Sequence, residues 1–227
     1  NLWRNIRSHH IGCADLLITE CSLYQEILKK EYPGKMQTIY WSRDGHGNRK
    51  EIEVPEDRIS LCYIGSINNI IDIDRIAGII KEADLPVIMH IIGDGENKDR
   101  MITALKEICD VRYYGEIRDE EKKSEIFSKC HAGINIYKEK LYIGLTVKCI
   151  DYFQNGLPII NNIKGDTWKL VENDHAGINI DKDTKIRYED LLKLRRNNQN
   201  IYDLFENNFS KENFVKRISQ TVDEVMS

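Results

Sequence analysis

From residue 60 onward, short apolar runs alternate with stretches in which apolar residues recur every three or four positions. The runs at 60–64, 87–92, 111–114, 132–136, 158–161 and 176–180 read as strands. Helical periodicity fills the gaps at about 72–83, 97–109, 119–129, 146–155 and 167–173. Strands and helices alternating at this spacing predict an α/β fold, a Rossmann-like parallel sheet flanked by helices on both faces. Helix starts are marked by acid placed against the positive dipole end: Asp119-Glu120-Glu121, Asp166-Thr167 and Asp72-Ile73-Asp74. After residue 183 the pattern is helical only, at 186–195, 199–207 and 211–226. The last stretch carries Phe214, Ile218, Val222 and Val225 on one face, which suits packing on a neighbouring domain or covering its own sheet.

The first fifty residues read differently. A strand at 14–19, a helix at 22–30 and a strand at 37–40 precede a polar segment, 49–57, that contains Pro55 and serves as a linker. The chain thus divides into residues 1–50, residues 51–208 and a terminal helix at 209–227.

Charge narrows the function. A net charge of −4 and a pI near 5.9 exclude a general nucleic-acid binder, which needs a basic excess. No run of about 18 apolar residues is present, so no transmembrane segment is expected. The six cysteines lack CxxC or regular spacing and most sit in apolar surroundings, which predicts reduced thiols and a cytoplasmic setting. His9, His10, His46, His90, His131 and His175 show no i, i+4 pairing, so no metal site is expected. The opening NLWRNIRSHH has neither an initiator Met nor an apolar signal core and reads as a cut inside a longer protein.

The most informative stretch is GLTVKCIDYFQNGLP, residues 144–158. A Gly-Leu-Thr turn opens an amphipathic helix, and Pro158 leads from its end into the strand Ile159-Ile160. The free N–H groups and dipole at such a helix start suit a phosphate or diphosphate. Asp151 lies about two turns beyond Gly144, at ~3.6 residues per turn, within reach of a sugar hydroxyl on a nucleotide held there.

This segment resembles the nucleotide-sugar-binding half of GT-B glycosyltransferases of the group 1, family 4-like, retaining type. Their signature is an acid, a Gly-Leu turn, a second acid and a small-residue helix ending in Gly-(Leu/Tyr)-Pro. Further likenesses are "ADLLIT" and "TIYWSRD" near the N-terminus, the Gly93-Asp94-Gly95 turn and Tyr114-Gly115-Glu116-Ile117. The resemblance implies a C-terminal GT-B half with a remnant of the N-terminal domain. It also implies a UDP- or GDP-sugar as co-substrate, no bound cofactor or metal, and a role in polysaccharide or glycoconjugate synthesis. The acceptor, a glycan or lipid-linked glycan, would be held mainly by an absent N-terminal domain, so the fragment alone is expected to be inactive. Association with the inner membrane face is compatible with that role.

Carried over residue by residue, the resemblance places Gly65 and Ser66 near the diphosphate and Ile117 against the base. Gly144, Leu145, Thr146 and Val147 form the phosphate turn, and Lys148 and Asp151 are the catalytic candidates. Two departures stand out. No Arg or Lys occurs between Ser66 and Asp74, and Ile143 occupies the place of the first acid, with Glu139 displaced by four residues. Lys148 is expected to replace the missing basic pair. A non-catalytic nucleotide- or partner-binding module on the same fold is the alternative, and a sugar-nucleotide epimerase or Rossmann dehydrogenase is disfavoured for want of its residues.

Overall fold

The computed structural model describes residues 10–45, 49–181 and 184–226. His9 and His46 lie outside them. Two sheets form. The smaller pairs β1 (Leu16–Thr19) with β2 (Lys35–Thr38) in parallel, with helix α1 (Ser22–Leu28) between them in sequence. The larger has six parallel strands: β3 (Ile59–Ile64), β4 (Val87–Ile92), β5 (Asp110–Gly115), β6 (Ala132–Asn135), β7 (Ile159–Asn161) and β8 (Gly177–Asn179). The expected strands and helices all form, within a few residues of the anticipated ends.

Strand order is β5-β4-β3-β6-β7-β8. Every residue of β3 and β4 is buried, which is why ISLCYI and VIMHII are nearly unbroken apolar runs: a central parallel strand is covered on both faces. Leu61 and Tyr63 enter one core with helices α2 (Ile73–Lys81), α3 (Lys98–Lys106) and α7 (Tyr188–Arg196). Cys62 and Ile64 enter the other, with α4 (Glu120–Ser128), α5 (Val147–Gln154), α6 (Asp166–Asn173) and α8 (Gln199–Asn208). The chain runs from β3 outward to β5, then returns to place β6 on the other side of β3. A crevice therefore opens at the carboxyl ends of β3 and β6, the switch point where such sheets bind ligands.

Three polar residues order helix ends, and the last two also tie distant segments together. Asp119 caps α4 as its sequence predicts, accepting from the N–H groups of Glu121 and Lys122. Asp166 opens α6 but serves another helix. It is 3% exposed, and its carboxylate accepts from the N–H groups of Ser22 and Leu23 at the start of α1 and from the Tyr40 hydroxyl. The third is Arg195, 2% exposed, whose guanidinium donates to the Phe127 carbonyl in the last turn of α4, to that of Cys130 beyond it and to the Gly156 carbonyl behind α5. The terminal helix α9 (Lys211–Met226) lies on the smaller sheet. Thr221 donates to Gln37, and Lys35 pairs with Glu224 at 2.6 Å. Among the described residues no helix is long and apolar enough to cross a membrane.

Candidate functional site

The crevice at the switch point is a cleft of about 350 Å³ lined by Gly65, Ser66, Leu145, Thr146, Val147, Lys148 and Asp151, together with Tyr137 and Ile143. Seven of the nine candidate positions thus meet in one place. Its floor is the turn after β3. Gly65 has φ +117°, and Gly93 packs so closely behind it that a Cβ there would stand 2.0 Å from the Gly65 carbonyl oxygen. The Ile67 N–H donates to the Asp94 carbonyl and the Asn97 N–H to that of Ile67, so the Gly-Asp-Gly turn is the brace of this loop. The Asp94 carboxylate accepts from the Gly95 N–H and pairs with Lys98, outside the cleft.

The opposite wall is the start of α5. Thr146 is its N-cap residue in extended geometry, yet its hydroxyl makes no capping bond. That hydroxyl donates instead to Asn135 Oδ1 at 2.9 Å, and Asn135 donates in turn to Asn161, which donates to Asn179. These three asparagines stand side by side at the carboxyl ends of β6, β7 and β8. With Thr146 turned into this ladder, no side chain among the described residues caps the start of α5, whose first residues, Val147 and Lys148, line the cleft.

Lys148 is the unusual group. A lysine in the first turn of a short helix is ordinarily solvated, but this one is 8% exposed and its Nζ has no hydrogen-bond partner among the described residues. The ammonium sits 3.9 Å from the centre of the Tyr63 ring and 4.9 Å from that of Tyr137, between the two switch-point strands. It lies 4.0 Å from where a Cβ on Gly65 would stand. Burial pushes its pKa down to about 7, against smaller opposing effects of Cys149 and Cys62. Asp151, a little more than one turn along α5, keeps a side-chain exposure of 14% and accepts from Arg43 Nε at 2.6 Å.

Two candidates stand elsewhere. Gly144 faces away from the cleft: a Cβ there would meet Cys21 Sγ at 2.6 Å, and its carbonyl accepts from the Thr167 N–H and hydroxyl. Ile117 packs against the core that contains Phe127 and Phe153 rather than lining the cleft. Ile143 is partly buried and lines the cleft, while Glu139 is exposed and lines a second, larger one of about 830 Å³. That second cleft runs between α1 and residues 138–143 and shares Tyr137 and Ile143 with the first. Arg75 lines it too and donates to the Asp181 carbonyl, so it does not serve the switch-point cleft. Among the described residues no three His, Cys, Asp or Glu side chains gather as a metal ion would need. Sequence reasoning missed Arg43, Tyr63, Tyr137 and Asn135, since each acts through a partner that only the fold supplies.

No protein-family model matches this sequence, and no curated protein matches it. Solved structures do resemble the fold. Sucrose-phosphate synthase from Thermosynechococcus elongatus superposes with a TM-score of 0.74 at 15% identity, over 100% of this chain and 62% of its own. The lipopolysaccharide outer core galactosyltransferase WaaB gives 0.71 at 13%, over 93% of this chain and 62% of its own. HepE from Anabaena, in complex with UDP and glucose, gives 0.67 at 12%, over 97% of this chain and 66% of its own. The chain therefore has a GT-B glycosyltransferase-type fold and spans less than two thirds of the length of these neighbours.

Proposed function

We propose that this chain is the donor-binding part of a glycosyltransferase that takes a nucleoside-diphosphate sugar, UDP-linked by preference, and transfers the sugar with retention of configuration. The single observation that carries the reading is Lys148: a buried cation held by two tyrosine rings but with no hydrogen-bond partner among the described residues, set beside a helix start that no side chain caps there, in a cleft at the switch point. A buried ammonium is costly unless an anion joins it. A diphosphate would receive the N–H groups of Thr146 and Val147 and the Lys148 charge together. Asp151 would then accept from the ribose hydroxyls, and Gly65 and Ser66 would approach the phosphates through backbone alone. In the transfer step the leaving nucleoside diphosphate gains negative charge, and the same lysine and helix dipole stabilise it, so no metal is required. The neighbouring larger cleft is where an acceptor would enter. Polysaccharide or glycoconjugate synthesis at the cytoplasmic membrane face is the setting that suits this chemistry.

One observation favours a second reading. Ile143 stands in the cleft where the family's first acid is expected, and an isoleucine neither binds a sugar hydroxyl nor stabilises a cationic transition state. A nucleotide-binding module without transfer activity would tolerate that residue. Sugar transfer or donor hydrolysis by a protein containing this chain separates the two.

Calorimetric titration with UDP, GDP and ADP tests the donor site. UDP is expected to bind most tightly, and Asp151→Ala to weaken it about 10- to 100-fold, the worth of hydrogen bonds to a charged group. Equal binding of all three, unaffected by Asp151→Ala, would overturn the assignment.

A further inference from the structure

Arg43 lies in the segment that joins the smaller sheet to the larger, 108 residues before the carboxylate it touches. Its position is fixed from both sides. Its N–H donates to the Phe209 carbonyl at 2.9 Å, between α8 and α9. The next residue, Asp44, accepts from Gln154 Nε2 on α5 through its carbonyl and pairs with Lys211 through its side chain. Backbone held in this way aims the side chain at α5, where Nε meets Asp151 Oδ1 at 2.6 Å. Among the described residues only Arg43 engages that carboxylate.

We infer that Arg43 is a positioning residue for ribose recognition: it fixes the Asp151 carboxylate by one oxygen and leaves the other to accept from the ribose hydroxyls. The inference rests on the donor-site reading above. A carboxylate on a helix face rotates about its side-chain bonds, and a ribose diol gains little from an acceptor that must first be ordered. A charge-assisted hydrogen bond from a backbone-anchored arginine removes that freedom before the nucleotide arrives. Arg43 belongs to the segment between the two sheets, so ribose recognition is tied to the placement of that segment against α5.

The test compares UDP with 2′,3′-dideoxy-UDP, which lacks both ribose hydroxyls. Wild type is expected to favour UDP about tenfold or more, the worth of one hydrogen bond to a charged group. Arg43→Ala should collapse that preference to the level seen in Asp151→Ala while leaving dideoxy-UDP affinity within about twofold of wild type, and Arg43→Lys should restore part of it. A role in fold alone would weaken both nucleotides equally, and that outcome overturns the inference. So does an unchanged preference in Arg43→Ala. Failure of wild type to bind UDP, or to prefer it, brings down the donor site itself and is distinguishable from both.

Discussion

Lys148→Met is expected to weaken nucleoside diphosphate binding by roughly 100-fold while making the free protein more stable. The binding loss follows from removing a cation that is desolvated in advance and faces the anion site; truncating such a partner costs roughly 2–5 kcal/mol. The stability gain follows from the same burial. The Lys148 pKa falls to about 7 in the fold from its ordinary value near 10.5. The folded state therefore binds fewer protons than the unfolded chain between those values, and wild-type stability rises with pH across that window. Below about pH 7 the full cost of burying the charge is present; towards pH 10 it fades. Methionine fills similar volume without charge, so the variant should gain on the order of 2–4 kcal/mol at pH 6, and less at pH 9. Denaturant melts at the two pH values measure it. A variant that loses stability and binding together would show that Lys148 is a structural residue.

Arg195→Met is expected to have the opposite character, a large loss of stability. Among the described residues the guanidinium has no acidic partner. Its charge is balanced by carbonyls at the ends of α4 and α5, those of Phe127, Cys130 and Gly156, which lie at the negative dipole ends of the two helices. Without it these carbonyls lose a charged donor, although Phe127 keeps the Cys130 N–H and Gly156 keeps Asn198, and the tie between the ends of the two helices is gone. A loss on the order of 3–5 kcal/mol follows, which lowers Tm by about 10 °C in a domain of this size. Arg195→Lys should recover only part, because one ammonium cannot reach the three carbonyls that a planar fork spans. A fall below about 1 kcal/mol in thermal or denaturant unfolding would contradict this role.

The physical basis of these two lysine and arginine effects also explains what was legible in the sequence. Strands buried on both faces must be apolar throughout, so VIMHII and ISLCYI declare themselves, and Asp119 before two glutamates declares a helix start. Local signals report local physics. The cleft residues from Leu145 to Asp151 lie within one turn-and-helix segment, so their grouping was readable from spacing. What could not be read is long range. Asp166 resembles an ordinary helix-opening acid, and its service to α1, 144 residues earlier, depends on how the two sheets meet. Arg195 follows Leu191 and Leu192 at helical spacing, so a charge within an apolar stripe was the one clue to its burial. Gly144 had the spacing of a phosphate turn, but the approach of Cys21 claims its missing side chain. Lys148 carried no sign of its burial, because the two tyrosines that enclose it come from β3 and from the segment just after β6, on either side of the switch point. The terminal stripe on α9 suited two packings; Val222 and Val225 stay exposed, and the helix meets the smaller sheet through Thr221 and Glu224 instead.

The central claim is that a diphosphate joins the buried Lys148 ammonium. Proton uptake on UDP binding tests it most directly, by calorimetry at pH 8 in buffers of different ionisation enthalpy. At that pH the terminal phosphate, with a second pKa near 6, is already deprotonated and contributes almost nothing. A lysine with a pKa of about 7 is mostly neutral in the free protein at pH 8, and a bound diphosphate restores its ordinary charged form. The account predicts uptake of about 0.9 proton per UDP bound, with affinity falling as pH rises above 7. Binding with no proton uptake and no pH dependence between 7 and 9 would contradict it.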